Sequence, residues 1–140
     1  CLREAGEVDP SLPGLADVRA LFHLRTGNAA FRAGDFARAE TAYHLALDIK
    51  PDQEESWTGL VALWQRSGRA QEARTRLDTL IRDHPPAGFA YGLAARVALQ
   101  AGDRAAGLEW IERGLVAARA VSDRRQEESL QKLRTQARGP

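Results

Sequence analysis

The sequence predicts an all-α protein that consists of three helix-turn-helix repeats followed by a capping helix. The main evidence is a fixed period, because Gly34, Gly68 and Gly102 lie 34 residues apart. A glycine can end the first helix of a hairpin in the left-handed conformation, and a proline can stop the second helix. Other positions keep the same period: the prolines Pro51 and Pro85, the small residues Ala39, Ala73 and Gly107, and the large apolar residues Tyr43, Leu77 and Ile111.

The periodicity assigns six helices to the repeats and leaves a seventh after them. Prolines and glycines in residues 1–14 predict an extended N-terminal linker. Residues 15–121 then hold the three repeats, and residues 122–140 hold the capping helix and a tail. The predicted repeats are 20–53, 54–87 and 88–121, and the predicted helices are 15–33, 35–49, 53–67, 69–83, 87–101, 103–120 and 122–136.

The seventh helix has the pattern of a cap. It carries Leu130, Leu133 and Ala137 on one stripe among charged residues. An array of repeats needs a terminal element with a polar outer face, because the last repeat otherwise exposes its apolar side. Ser122 is a candidate N-cap for this helix. Since no proline interrupts residues 103–136, one long helix is the alternative.

The 34-residue unit resembles the tetratricopeptide repeat, and residues 20–53 match that pattern most closely. Gly27 and Ala39 fill the positions where small residues let the two helices of a repeat approach. The resemblance implies a right-handed solenoid in which the first helices line a concave groove that holds a segment of another protein. The third repeat departs from the pattern, because Arg104 stands where an aromatic residue is usual.

The phase of the repeat then assigns the residues that would line this groove. Its floor is mostly apolar and arginines stand along it, so we expect an apolar segment, extended or helical, that is flanked by acidic residues. The alternative is that some of these side chains pack against the N-terminal linker or the flanking helices. The candidate peptide-binding residues are Leu21, Leu24, Arg25, Asn28, Phe31, Arg32, Thr58, Ala62, Gln65, Arg66, Phe89, Gly92, Arg96 and Leu99.

One known binding mode of this family is excluded by the residue types. Some tetratricopeptide repeats grip the C-terminal carboxylate of a chaperone with Lys, Asn, Asn, Lys and Arg at fixed positions. A carboxylate needs hydrogen-bond donors and positive charge around it. Here the five positions hold Leu24, Asn28, Gly59, Phe89 and Leu93, of which Asn28 alone matches.

Composition and spacing argue against several other functions. The 140 residues carry a net charge of +1 with both signs mixed along the chain, whereas nucleic acid favours a concentrated basic face. His23, His44 and His84 are dispersed and have no metal-ligand spacing. The sequence shows no phosphate-binding glycine loop, nucleophile elbow or paired carboxylates. We therefore expect a protein partner, and no enzyme activity, cofactor, metal or small-molecule substrate.

The N-terminal residue carries a second resemblance. Cys1 is the sole cysteine and the sequence has no methionine. A cysteine at residue 1 resembles the mature start of a bacterial lipoprotein, which implies lipid on Cys1 and a tether in residues 2–14. Leu2 at the next position favours the outer membrane in the enterobacterial sorting pattern. A truncated chain or a tag remnant is the alternative explanation of Cys1.

Together the two resemblances predict a lipid-anchored scaffold on the periplasmic side of a bacterial envelope, where it assists the assembly of a pilus or secretin. Two alternatives remain open at this point. The first is a soluble, cytoplasmic secretion chaperone of the same repeat type. The second is an accessory subunit of a larger membrane enzyme complex.

Overall fold

A computed structural model describes residues 14–85 and 87–139. Within these residues the chain forms seven α-helices and no strand, which confirms the all-α prediction. Each helix begins and ends within two residues of its predicted bounds. The predicted linker lies outside the described residues, except for Gly14. The helices are α1 Leu15–Arg32, α2 Phe36–Ile49, α3 Glu54–Arg66, α4 Ala70–Asp83, α5 Phe89–Gln100, α6 Arg104–Ala120 and α7 Arg124–Arg138.

The three hairpin turns share one backbone arrangement. Gly34, Gly68 and Gly102 have φ angles of 80°, 73° and 83°, in the left-handed region where glycine has no Cβ penalty. In the first turn the N–H of Gly34 donates to a carbonyl of the last turn of α1, and the N–H of Asp35 donates to the carbonyl of Ala30 at 2.9 Å. These two bonds make a Schellman motif, which satisfies the carbonyls that a helix end leaves free. The predicted role of the repeated glycines is confirmed.

An aspartate follows the glycine in the first and third turns and caps the next helix. The carboxylate of Asp35 accepts from the N–H of Arg38 at 3.2 Å, and that of Asp103 accepts from the N–H of Ala106 at 3.1 Å. Asp103 also accepts from Arg74 Nη2 of α4 at 2.9 Å. The Ala106 bond and then the Arg74 bond lower the pKa of the Asp103 carboxyl. The same side chain therefore starts α6 and joins it to α4.

The turn between α6 and α7 differs from the sequence prediction. Ser122 has a φ of 56°, and the N–H of Asp123 donates to the carbonyl of Ala118 at 2.8 Å. Ser122 therefore closes α6 in the place that glycine takes elsewhere, at a cost of about 1–2 kcal/mol. Asp123 caps α7 by accepting from the N–H of Gln126 at 3.1 Å. Ser122 is not the N-cap, and the alternative of one long helix over residues 103–136 is wrong.

By packing, the chain divides into two compact units. The described part of the first is residues 14–60, and that of the second is residues 61–85 and 87–139. In the first unit, α1 packs against α2. The contact is made largely by small side chains, and Ala20, Ala39 and Ala46 are fully buried. Burial of small residues at a helix pair lets the two backbones lie close together.

Tyr43 of α2 is the largest fully buried side chain of the first unit. Its side chain is 2% exposed, and its hydroxyl donates to Asn28 Oδ1 at 2.7 Å. The ring occupies space left by two glycines. A Cβ atom at Gly27 would lie 2.7 Å from Tyr43 Cδ1, and one at Gly59 would lie 2.5 Å from Tyr43 Cζ. The predicted small residue at position 27 is therefore a packing requirement.

The second unit holds an apolar cluster to which three helices contribute. The buried members are Ala95 of α5, Ile111 and Leu115 of α6, and Leu130 of α7. Leu133 and Ala137 pack against this cluster, so the stripe predicted on the seventh helix is its buried face. Gly114 of α6 lets the helices approach, because a Cβ atom there would lie 2.7 Å from Tyr91 Cβ and 2.8 Å from Leu130 Cδ1. The predicted capping helix is confirmed by this packing.

We expect the substitutions Gly27→Ala and Gly59→Ala to lower the free energy of unfolding by about 1–3 kcal/mol, because the added methyl group overlaps the buried Tyr43 ring. This loss exceeds the helix preference for alanine, which is up to about 1 kcal/mol. Gly92→Ala in α5 is the matched control, since its Cβ atom meets nothing within 4 Å, and it should stabilise the protein. Urea unfolding followed by circular dichroism measures all three. Equal stability of the three variants would contradict this account of Tyr43.

Candidate functional site

Four of the predicted binding residues lie along one face of α1. Leu21, Arg25, Asn28 and Arg32 are separated by four, three and four positions, which places them on one side of a helix. Leu21 is 41% exposed, and both arginines are exposed. Asn28 is partly buried, and its side-chain oxygen accepts a hydrogen bond from the hydroxyl of Tyr43. This part of the prediction therefore corresponds to an accessible surface.

Two further apolar side chains extend this surface and were not predicted from the sequence. Val18 is 64% exposed and Phe22 is 65% exposed. Together with Leu21 and Arg25 they follow the i, i+3, i+4, i+7 spacing of a single helix face. That spacing was visible in the sequence, but an apolar stripe is usually assigned to the core. We call the surface formed by Val18, Leu21, Phe22, Arg25 and Arg32 the α1 face.

Two predicted floor residues of the first repeat are less accessible than expected. Leu24 is 7% exposed and belongs to the buried side of α1, so the structure places it in the core. Phe31 is partly buried, and its ring lies 5.3 Å from the ring of Phe36 across the hairpin turn. Packing against a flanking helix was the alternative considered for such residues, and it describes Leu24 better than ligand binding does.

The bond between Asn28 and Tyr43 determines what Asn28 can offer to a ligand. Its carbonyl oxygen accepts from the tyrosine, which leaves the amide N–H groups as donors. Burial raises the pKa of the Tyr43 phenol, and the charge of Arg32 partly opposes that shift. The phenol therefore stays protonated and holds the Asn28 amide in one orientation on the α1 face.

Several residues predicted on α3 are engaged with the protein itself. Thr58 Oγ1 donates to the carbonyl of Glu54 at 2.9 Å within the helix. Gln65 donates through Nε2 to Oε1 of Gln100 on α5. Ala62 is partly buried and Arg66 is exposed. The side-chain oxygen of Thr58 can still accept a hydrogen bond, but the prediction for α3 gains less support than that for α1.

The residues predicted on α5 again share one face. Phe89, Gly92, Arg96 and Leu99 follow one another by three, four and three positions. Arg96 is exposed and the other three are partly buried. Leu93, one of the positions excluded as a carboxylate clamp, is 8% exposed. This face of α5 therefore has one exposed cation, Arg96, beside the partly buried apolar side chains of Phe89 and Leu99.

A cleft of about 510 Å³ opens at the end of this face, in the second unit. It is bounded by the end of α5, the following turn, the start of α6 and the end of α7. Arg104 lines this cleft, and Nη2 of Arg104 donates to the carbonyl of Arg138 at 2.6 Å. The lining residues are Arg96, Leu99, Gln100, Gly102, Arg104, Leu133, Gln136 and Ala137.

The sequence placed Arg96 and Leu99 on the binding surface but did not predict this cleft. The one feature of the sequence that pointed to the cleft was Arg104, which stands where an aromatic residue is usual. Arg104 alone could not predict the cleft, because the opposite wall belongs to α7 and depends on how that helix packs. In the part of the chain that the structure describes, no three histidine, cysteine, aspartate or glutamate side chains are grouped to hold a metal ion. No helix in residues 14–85 and 87–139 is both long and apolar enough to cross a bilayer.

The hairpins with their repeated glycine turns can now be compared with known proteins. Residues 30–91 match the tetratricopeptide repeat family. The chain is also similar to the cellulose synthase operon protein C of Pseudomonas fluorescens (strain SBW25), with 34% identity over 70 residues. That similarity covers 49% of this chain and 5% of the relative's length.

The tetratricopeptide match extends from the end of α1 to the start of α5 and includes two of the three glycine turns. The third turn, at Gly102, repeats their backbone geometry outside the matched residues. The resemblance predicted from the 34-residue period is thus supported over residues 30–91. The lipoprotein and pilus resemblances have no counterpart in these matches and stay predictions.

We expect the protein to lose stability as the pH rises above 10, because the raised pKa of the buried Tyr43 phenol favours the protonated form in the folded state. The stabilisation is complete below pH 10 and is lost as the pH rises through the folded pKa. Tyr43→Phe should remove this part of the pH dependence and cost about 0.5–1.5 kcal/mol at neutral pH, since the bond to Asn28 is lost.

Chemical unfolding at neutral and alkaline pH measures both effects. Tyr91→Phe is the control, because it removes the other tyrosine and leaves the Asn28 bond in place. The same alkaline loss in the Tyr43→Phe variant and the native protein would count against this explanation.

Proposed function

We propose that this chain is a protein-interaction scaffold that binds an apolar segment of another protein on the α1 face. The observation that carries the proposal is a concentration of exposed apolar side chains. Six large hydrophobic residues are exposed among those described, and three of them, Val18, Leu21 and Phe22, lie within five consecutive positions of α1. Contiguous apolar surface on a soluble domain commonly marks a site for a partner.

The energetics of the α1 face favour an apolar ligand with acidic ends. Fully burying a large apolar side chain contributes about 1.5–3 kcal/mol, so three such residues can supply much of a moderate binding energy. Arg25 and Arg32 are exposed on the same face. Their guanidinium groups suit carboxylates at the edge of the ligand, where charge complementarity improves specificity and association rate. The family match over residues 30–91 supports a scaffold, because tetratricopeptide repeats are interaction modules.

We expect the double substitution Leu21→Asp with Phe22→Asp to weaken binding of an apolar peptide by more than about tenfold, since both side chains lose their apolar contact and repel acidic flanks. Because both residues are exposed, the fold should be retained. The probe is a fluorescein-labelled peptide of leucines with glutamates at both ends, and fluorescence anisotropy measures its affinity.

The matched control carries Val116→Asp and Val121→Asp, which change two exposed apolar residues of the second unit. It should bind the probe as the native protein does. Equal affinity of the α1-face variant and this control would refute the α1 face as the binding site. Circular dichroism of each variant separates loss of folding from loss of binding.

A second candidate is an accessory subunit of a larger membrane enzyme complex. It is favoured by the 34% identity to a protein named cellulose synthase operon protein C, although the matched part is a small fraction of that protein. In this case the chain would be held in its complex by surfaces other than the α1 face. Co-purification of the native complex after the Leu21→Asp and Phe22→Asp substitutions would then persist, whereas the first candidate predicts its loss.

The lipid anchor at Cys1 and the envelope location stay predictions, since Cys1 lies outside the described residues. If the prediction is right, mass spectrometry of natively purified protein should find acyl chains on the sulfur and the amino group of Cys1. More than one chain is needed for a stable anchor, because a single acyl chain binds only marginally. An unmodified amino-terminal cysteine would exclude the hypothesis of a lipid-anchored assembly factor. The soluble secretion chaperone would then be the alternative.

A further inference from the structure

We infer that the cleft beside Arg96 and Arg104 binds a carboxylate group of the partner polypeptide. The inference rests on the proposed function, because the ligand is a segment of another protein. It concerns other residues than the α1 face, and all of them belong to the second unit. It also uses none of the five positions with which some tetratricopeptide repeats grip a C-terminal carboxylate.

Two of the residues that line the cleft occupy positions at which the third repeat departs from the first. In the first repeat the rings of Phe31 and Phe36 lie 5.3 Å apart and pack across the hairpin turn. Two periods later the same positions hold Leu99 and Arg104, and both line the cleft. The turn itself closes with the same glycine geometry in both repeats, so hairpin formation does not require an arginine there.

Among the described residues that line it, the cleft has positive charge and no negative charge. Arg96 and Arg104 are among its lining residues, and no aspartate or glutamate is. Within residues 14–85 and 87–139, neither guanidinium forms an ion pair with a carboxylate. Two arginine groups near one another repel, and an anion between them relieves that repulsion and accepts forked hydrogen bonds.

Arg104 is held in place by its bond to the carbonyl of Arg138, at the C-terminal end of α7. A guanidinium has five N–H donors, so this bond leaves others for a ligand. Capping of α7 is the competing explanation of Arg104, because a cation near the last carbonyls stabilises a helix end. That explanation assigns no role to Arg96, which is exposed on α5. A substitution at Arg96 therefore distinguishes the two explanations, because a ligand site would use Arg96 and a helix cap would not.

The remaining walls favour a carboxylate on an aliphatic stem over a bare inorganic anion. Gln100 and Gln136 line the cleft, and since Oε1 of Gln100 already accepts from Gln65, its N–H groups are left as donors. Leu99, Leu133 and Ala137 provide apolar surface beside these donors. The volume of about 510 Å³ lies within the range of small-ligand sites. An acidic side chain and a C-terminal carboxylate share this chemistry.

Three capped dipeptides test the inference on the full chain. N-acetyl-leucyl-glutamate amide carries a side-chain carboxylate, N-acetyl-leucyl-glutamine carries a C-terminal carboxylate, and N-acetyl-leucyl-glutamine amide carries none. Nuclear magnetic resonance of the arginine Nε–Hε groups follows each titration. We expect at least one carboxylate dipeptide to shift the Arg96 and Arg104 signals, and the neutral dipeptide to leave them in place. The carboxylate dipeptide that binds more tightly shows whether the natural ligand is an acidic side chain or a chain end.

Substitutions then separate binding from capping. Arg96→Gln should lower the affinity for the carboxylate dipeptide by about tenfold to a hundredfold, since a charge-assisted hydrogen bond is lost. The same substitution should leave the thermal unfolding temperature unchanged. Arg104→Gln should lower the same affinity to a similar extent. It should also destabilise the C-terminal end of α7, because the bond to the carbonyl of Arg138 is lost. Arg125→Gln is the matched control, because Arg125 is exposed on α7 and does not line the cleft.

Unchanged affinity in the Arg96→Gln variant would overturn the inference, as would equal shifts by the neutral and carboxylate dipeptides. A lack of any shift at Arg96 would also overturn it. Each of these results leaves the leucine–glutamate peptide experiment to be decided separately, because that experiment compares the α1-face variant with the Val116→Asp and Val121→Asp control. Failure of the cleft and failure of the scaffold proposal can therefore be told apart.

Discussion

The close approach of paired helices is the constraint on which this structure depends. Several of these approaches occur where one helix has a glycine in place of a side chain. Tyr43 fills the space above Gly27 and Gly59, Leu99 packs against Gly107, and Tyr91 packs against Gly114. Because a folded interior is as dense as an organic crystal, an added methyl group at such a point has no space unless the buried neighbour moves.

Close packing through small residues also leaves large apolar side chains exposed on α1. The contact between α1 and α2 uses small, fully buried residues such as Ala20 and Ala39. The bulky Val18 and Phe22 of the same helix are exposed and lie outside this contact. The large side chains of α1 that lie outside this contact are accessible to another protein. The functional proposal for the α1 face follows from this division between small buried and large exposed residues.

Variation between the repeats, rather than their common features, creates the second candidate surface. The glycine turn is repeated in all three hairpins, and a capping aspartate follows it in the first and the third. The pair Phe31 and Phe36 is not repeated, and its replacement by Leu99 and Arg104 exchanges an aromatic contact for a cationic cleft. Once the backbone turn is secured by glycine and aspartate, the neighbouring side chains can change without loss of the hairpin.

The sequence alone determined the number, order and approximate bounds of the helices, the glycine turns and the apolar stripe of α7. These features are local, since they depend on the left-handed freedom of Gly34 or on the helical spacing of Leu130 and Leu133. Only the tertiary structure decided that Leu24 is buried while Leu21, on the same helix, is exposed. It also decided that Ser122 ends α6 and that a cleft opens beside Arg104. Burial and cavities depend on the contacts between elements distant in the chain, and no local pattern specifies how closely those elements approach.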